Sequence, residues 1–339
     1  MPIPFVVAGA IAASAAVGAK KGYDATKDIK KAKKVNNKAQ RISKRAEKKL
    51  NTRRKQTKSS LDALGKTKLE VLSNNMREFV EEYSKIKNID FHDSVGLEEL
   101  RNLDFSDNSL KELKRASFEA FDILKGGISS LGSGALAAYG TYGAVGALAT
   151  ASTGTGIAGL SGAAATNATL AWLGGGALSA GGYGIAGGMA VLGGLVAGPA
   201  LAVGGVVMAS TAKKKLNSAH NNLDKARVFE NQSENAVIAL NGVMSRADKI
   251  RNVLNELNSY FKTGVTKMSF IIDDYGIDWN DYSKNAKEII YVTTQLAQTL
   301  KIILDSPLLD EEGKVTQKSK KALLTGQKYL NNVTVLQKS

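Results

Sequence analysis

The residues whose types and spacing invite chemistry are few, and each fails on context. Gly182-Tyr-Gly184-Ile-Ala-Gly187 matches the G-x-G-x-x-G pattern that lets a backbone approach a pyrophosphate. No strand-like run precedes it, and no acid follows about twenty residues on to hold a ribose. In a stretch this rich in glycine the match is expected by chance. Gly65-Lys66-Thr67 has the ending of a phosphate loop, but Ser60 stands where the first glycine belongs and no strand leads in. The spacing predicts a solvated helix face instead. His92 and His220 are the two histidines, far apart, and there is no cysteine. A transition-metal centre wants more nitrogen and sulfur ligands than that. His92, between Asp90 and Asp93, reads as a surface loop residue. The acids Asp273-Asp274 and Asp310-Glu311-Glu312-Gly313 lack EF-hand spacing and read as helix-start charge or solvated turns. No nucleophile stands beside a base, and disulfides and thiolate chemistry are excluded. The chain reads as non-enzymatic, with no cofactor and no metal.

What the sequence does display is charge, and its absence. Between Lys125 and Lys213 lie 87 residues without Asp, Glu, Lys, Arg or His, holding 24 of the 34 glycines. A globular sequence is normally about a quarter charged, so this block must hide from water, in a bilayer or among other helices. Residues 185–209 have the density of Val, Leu, Ile and Met expected of a span. At ~1.5 Å per residue they reach roughly 37 Å, against ~30 Å of hydrocarbon. Pro199 should kink that helix, a fault membrane helices tolerate. Small residues recur every fourth position: Gly176, Ala180, Gly184 and Gly188, then Ala190, Gly194, Gly198 and Ala202. Such rows let helix backbones approach closely in lipid. The block therefore predicts transmembrane helices that pair or oligomerise through glycine zippers, and opens the prospect of a pore.

The elements around the block are polar helices. Residues 1–19 are apolar and small, without the basic start of a secretory signal; they read as a retained helix packed on or dipping into the membrane. From Lys20 to Lys68 the chain carries 19 Lys or Arg against four acids, a net of +15 that equals the charge of the whole molecule. Within this arm Ala32, Val35, Ala39, Ile42 and Ala46 recur at three and four, giving a narrow seam. The pattern blurs near 51–57 and resumes with Leu69, Leu72, Met76, Phe79, Tyr83 and Ile86. This predicts two long helices, or one broken helix, over about 20–87. Residues 88–108 are turn formers, after which Leu110, Leu113, Phe118 and Phe121 offer a helix its core face. Beyond the block, Leu240, Val243, Ala247, Ile250, Leu254, Leu257 and Phe261 make a heptad seam, expected to pair antiparallel with the upstream arm, since both flank one hairpin. Aromatic anchors at 273–281, a helix at 286–304 with Ile289, Val292, Leu296, Leu300 and Ile303 on one face, and a last helix at 316–330 complete an all-α plan. It divides as an apolar N-terminal helix (1–19), a basic coiled-coil arm (20–87), a connector and helix (88–124), the Gly/Ala membrane-inserting region (125–212), a second coiled-coil arm (213–270) and a C-terminal helical subdomain (271–339).

A basic arm asks for a polyanion. Lys20, Lys21, Lys30, Lys31, Lys33, Lys34, Arg41 and Arg45 are the cations expected to contact anionic lipid. Nucleic acid is the weaker partner, because a single strand wants aromatic platforms and Tyr23 is the sole aromatic between Lys20 and Lys68. The positive-inside tendency would keep both arms cytoplasmic at the inner membrane, unless a soluble form folds the block against its own helices before a trigger releases it. Three readings follow: a non-enzymatic membrane-inserting and pore-forming homo-oligomer, a membrane-anchored coiled-coil scaffold for partner proteins, and a nucleic-acid-binding arm.

At Ser161-Gly-Ala-Ala-Ala-Thr-Asn-Ala and Leu173-Gly-Gly-Gly-Ala-Leu-Ser-Ala-Gly-Gly the chain resembles bacterial glycine-zipper membrane proteins, which set an apolar Gly/Ala core between coiled-coil arms. The plan is also similar to that of apolipoprotein L proteins and α-helical pore-forming toxins, where an apolar hairpin between long helices enters a bilayer. In wording the resemblance covers about residues 125–220 and transfers no functional residue. It implies membrane interaction and permeabilisation.

Overall fold

The computed structural model describes residues 19–91, 107–126, 212–309 and 314–336. The described chain is all-α: α1 (Ala19–Val71), a π-turn (Leu72–Met76), α2 (Arg77–Tyr83), α3 (Asp107–Lys125), α4 (Ala212–Tyr275), a 3-10 turn (Trp279–Asp281), α5 (Lys284–Asp305) and α6 (Gln317–Leu336). Among these residues the β-type pairing consists of two isolated bridges, Lys87 with Asp278 and Leu309 with Val315. The Gly/Ala region with its ladders (Gly176, Ala180, Gly184, Gly188, Gly194, Gly198, Pro199, Ala202) and residues 1–18 lie outside the described residues.

The expectation of transmembrane helices and of a pore is overturned. Among the described residues no helix is long and apolar enough to cross a membrane. In α1 and α4 the longest run without Asp, Glu, Lys or Arg is 11 residues, 235–245, against the ~20 that a span needs, and a charged side chain at the bilayer centre costs several kcal/mol. The fold gives no support to placement in the inner membrane.

The polar arm is one unbroken helix through 51–57, not two. Asn51, Thr52 and Gln56 interrupt the apolar pattern without interrupting the backbone, because Lys, Arg and Gln around them are strong helix formers. The irregularity comes later, at the π-turn, which adds one residue to a turn.

Pairing of the two long helices is parallel, a correction to the antiparallel expectation. Residues in contact across a parallel pair keep a constant difference in number; across an antiparallel pair they keep a constant sum. Asn36 meets Asn222 and Lys49 meets Glu234, 186 and 185 residues apart. Asn75 meets Asn258, 183 residues apart, and the Phe79 ring packs tilted against that of Phe261, centroids 5.5 Å apart.

The chain forms two compact units, and α1 and α4 contribute to both. The first contains α1 to Lys55 and α4 to Asn241. Its seam is lined by small residues: Ala32, Ala39, Ser43 and Ala46 from α1, Ala219, Ala226, Ser233 and Ala236 from α4. Larger side chains enter as Leu223 with Ala39, flanked by Val35 and Ile42, as Phe229, and as Leu50 against Val237 and Leu240. Small seams permit close helix approach, but they remove little apolar area from water.

The second unit holds the large core. Leu61, Leu64, Met76 and Phe79 pack with Ile250, Leu254, Leu257, Phe261 and Met268. Helix α5 is buried on more than the one face its Ile and Leu spacing predicts: Thr293, Thr294, Gln295 and Thr299 are buried as well. The threonines manage this by donating to backbone oxygens one turn earlier, Thr294 to Ile290 and Thr299 to Gln295. Helix α3 also departs from expectation. Its buried face is Leu113, Ala116, Ser117 and Ala120, while Phe118 is 38% exposed; Phe121 lies under the Arg77 guanidinium, 4.5 Å from the ring centroid. Trp279 is buried as expected of an aromatic anchor at 273–281, but Tyr275, at the end of α4, is 47% exposed, and Tyr282, one residue beyond that run, is buried in its place; Phe91 is edge-on to Trp279 at 5.2 Å. The turn before them needs Gly276 at φ 81.

Lys68 is the exception in this core, 1% exposed. Burial pushes its ammonium down to about 8, and the carboxylate of Asp305, which also binds Lys301 at 2.7 Å, pulls in the opposite direction.

Two predictions follow from this packing. An alanine at Gly242 meets open space, so Gly242→Ala should raise stability by about 0.5–1 kcal/mol in a urea melt. A Cβ at Gly264 would sit 2.5 Å from Thr293 Oγ1, which is fixed by its bond to Ile289 O; Gly264→Ala should instead cost about 1–3 kcal/mol. For Lys68 the folded form holds the proton less tightly than the unfolded chain. Stability should therefore rise as pH goes from about 8 to about 10. Above about 10, Tyr83, whose hydroxyl burial pushes up to about 12, works the other way. Lys68→Met should abolish the rise and gain about 2 kcal/mol near neutral pH, measured by melts across that pH range.

Candidate anion-binding face

The basic face is built by α1 in the first unit. Its seam residues turn towards α4, which leaves the rest of the circumference to water. Lys30, Lys31, Lys33, Lys34, Arg41 and Arg45 are all exposed. Among the described residues none of the six forms an ion pair. Lys20 and Lys21 lie in the first turn of α1. The sequence reading missed Lys27, Lys38, Lys48 and Lys55, which are equally exposed; their signal is a spacing that becomes legible only once the phase of the seam is known.

Charge in this unit is one-sided. Residues 19–55 carry 16 Lys or Arg and three acids, whereas residues 212–241 carry five and three. Among the described residues, Lys49 of α1 reaches Glu234 of α4 at 3.3 Å. Both partners are more than half exposed, so the pair contributes little. Like charges three and four residues apart on one helix repel by some tenths of a kcal/mol per pair. The face is held in place despite its own electrostatics.

The other predicted positions separate into distinct roles. Leu240 is buried in the first unit, and Val243, Ile250, Leu254, Leu257 and Phe261 are buried in the second. All six are occupied inside the chain by α1 and its neighbours, so this seam presents no face to a partner. Gly65, Lys66 and Thr67 lie inside α1, not in a loop, and Gly65 and Thr67 are buried while Lys66 is exposed. His220 is exposed on α4, and Asp273 and Asp274 are exposed in its last turn rather than at a helix start. His92 and 310–313 fall outside the described residues. Among the described residues no cluster of three or more His, Asp or Glu could hold a metal ion.

Repulsion along α1 yields a direct expectation. Raising salt from about 0.02 to about 0.2 M shortens the screening length several-fold. Amide exchange of residues 27–55 should slow, while exchange in residues 243–271 stays nearly constant; equal behaviour of the two stretches would contradict the assignment. No family model, curated protein or solved structure matches this chain.

Proposed function

We propose that the chain is a non-enzymatic helical scaffold that docks peripherally on anionic lipid through the basic face of α1. The observation that carries this reading is a set of exposed cations with no ion pair among the described residues, on a helix backed by a partner of much lower net charge. Each Lys or Arg near an anionic surface adds about 1 kcal/mol, screened by salt, so a handful suffices for reversible attachment. The scaffold is a parallel coiled coil. Positions 219, 226, 233, 240, 247, 254, 261 and 268 are buried without a break, and a strict seven-residue repeat winds helices into a left-handed supercoil. Asn36–Asn222 and Asn75–Asn258 supply the polar contacts that fix its register.

Nucleic acid is the less favoured polyanion. Between residues 26 and 55 no Phe, Tyr or Trp is available to stack on a base.

Sedimentation with vesicles tests the proposal. The protein should pellet with phosphatidylcholine vesicles containing phosphatidylserine and stay in the supernatant with phosphatidylcholine alone. Binding should fall by about tenfold or more between about 0.05 and about 0.5 M salt. Protein that ignores both vesicle types at low salt would remove the proposal.

A further inference from the structure

We infer that the first unit lies side-on against an anionic bilayer, α1 towards the lipid and α4 away from it. The contact line is Lys27, Lys34, Arg41, Lys48 and Lys55. This inference rests on the docking reading above and adds to it a face, an orientation and a set of residues.

The argument begins with phase. In α1 the buried residues Ala32, Ala39 and Ala46 form one row of the seam, and Asn36, Ser43 and Leu50 form the other. Both rows repeat every seven residues. In a helix held at that repeat, successive residues advance about 103°. The seam is centred between the two rows, so the position diametrically opposite is the one five residues beyond Asn36, Ser43 and Leu50. Those positions are Arg41, Lys48 and Lys55, and the same row extends back to Lys34 and Lys27. Every member is basic, and every member is exposed.

A second row runs beside it. Lys31, Lys38 and Arg45 are two residues past the first seam row's partner, about 50° round from the outermost line, and exposed too. Asn37 and Asn51 dilute the row on the other flank, where Lys30 and Lys44 sit. Positive charge is thus densest along the single line farthest from α4. That line runs for 28 residues, about 42 Å at the rise of a helix, with a cation in every second turn and the adjacent row filling between.

The same seven-residue period governs the line and the seam. A row of period seven stays straight only on a helix that supercoils with that period. The seam imposes the winding, and the cations inherit it, so the line keeps facing away from α4 along its whole length, while turning with the pair by roughly 70–110° over ~42 Å at a pitch of ~140–210 Å. A flat surface of negative charge meets the middle of the line, Lys34, Arg41 and Lys48, face-on, and the flanking cations Lys38, Lys44 and Arg45 extend the contact as the line turns. No large apolar side chain interrupts the line, which points to attachment at the headgroups rather than to wedging between acyl chains.

The test compares two double variants that remove the same charge from opposite sides of the unit. Lys34→Gln with Arg41→Gln takes two cations from the line. Lys215→Gln with Arg227→Gln takes two exposed cations from α4. Both pairs of sites are exposed helix positions and Gln is a good helix former; circular dichroism melts confirm that each variant folds. On vesicles containing phosphatidylserine, the line variant should bind on the order of twentyfold more weakly. The α4 variant should lose less than about threefold. Equal losses would overturn the inference, since docking would then follow net charge with no preferred face. A larger loss from the α4 variant would overturn it by reversing the orientation. Wild-type protein that prefers duplex DNA to these vesicles at the same salt would replace lipid as the partner. Wild-type protein that binds no vesicle fails the underlying docking reading itself, a result distinct from the first two.

Discussion

Parallel pairing of α1 with α4 is the constraint on which the rest depends. Antiparallel helices can be joined by a few residues, but a parallel pair needs a connection that returns to the starting end. The π-turn and α2 still run alongside α4, through Asn75–Asn258 and Phe79–Phe261; the interval from Tyr83 to Ala212 holds α3 and the uncharged block. The seam itself serves two cores of different character. In the first unit it is closed mainly by Ala and Ser with a few larger side chains such as Leu50, Leu223 and Phe229, in the second by Leu, Phe and Met. Asparagine pairs occur in both. A polar pair in a seam lowers stability compared with Leu and raises the penalty for slipping, because a shifted register buries the amides without partners. That trade matters most where alanines give one register little advantage over the next.

Much of this was legible in the residues, and the failures have physical causes. Seam positions 240–261 were readable because each burial repeats at three and four, and the periodicity of a helix is a local property. Direction was not readable, because a row of Leu and Ala is chemically the same in both senses and the contrary expectation came from assuming a hairpin. Helix α3 misled for another reason. Phe118 looks like core material, but the face against the π-turn is close enough that Ala116, Ser117 and Ala120 fill it, so bulk was pushed outwards. Lys68 was counted with a solvated arm, yet burial there is decided by α5, more than 200 residues later in sequence, and no local signal announces it. The cationic line was hidden in plain composition: nineteen basic residues conceal which five lie opposite α4 until the seam supplies a phase.

Stability and charge in the first unit pull against each other in a way that gives the basic face its meaning. Its small side chains bury little area, so the hydrophobic contribution is modest. Its cations repel along every second turn, and one ion pair crosses to α4 among the described residues. A helix in that condition gains from any bound anion twice over. The anion screens the repulsion, and it binds the folded face better than an unfolded chain, whose charges are not aligned. Linkage then adds stability in proportion to the logarithm of ligand occupancy. The second unit, with Phe79, Phe261 and Met268 fully buried, has no such need. Selection for stability alone would have placed acids among the lysines of α1, at i+4 where they help most. The unbroken sign of that face is therefore better explained by a partner that carries the opposite charge than by the requirements of the fold.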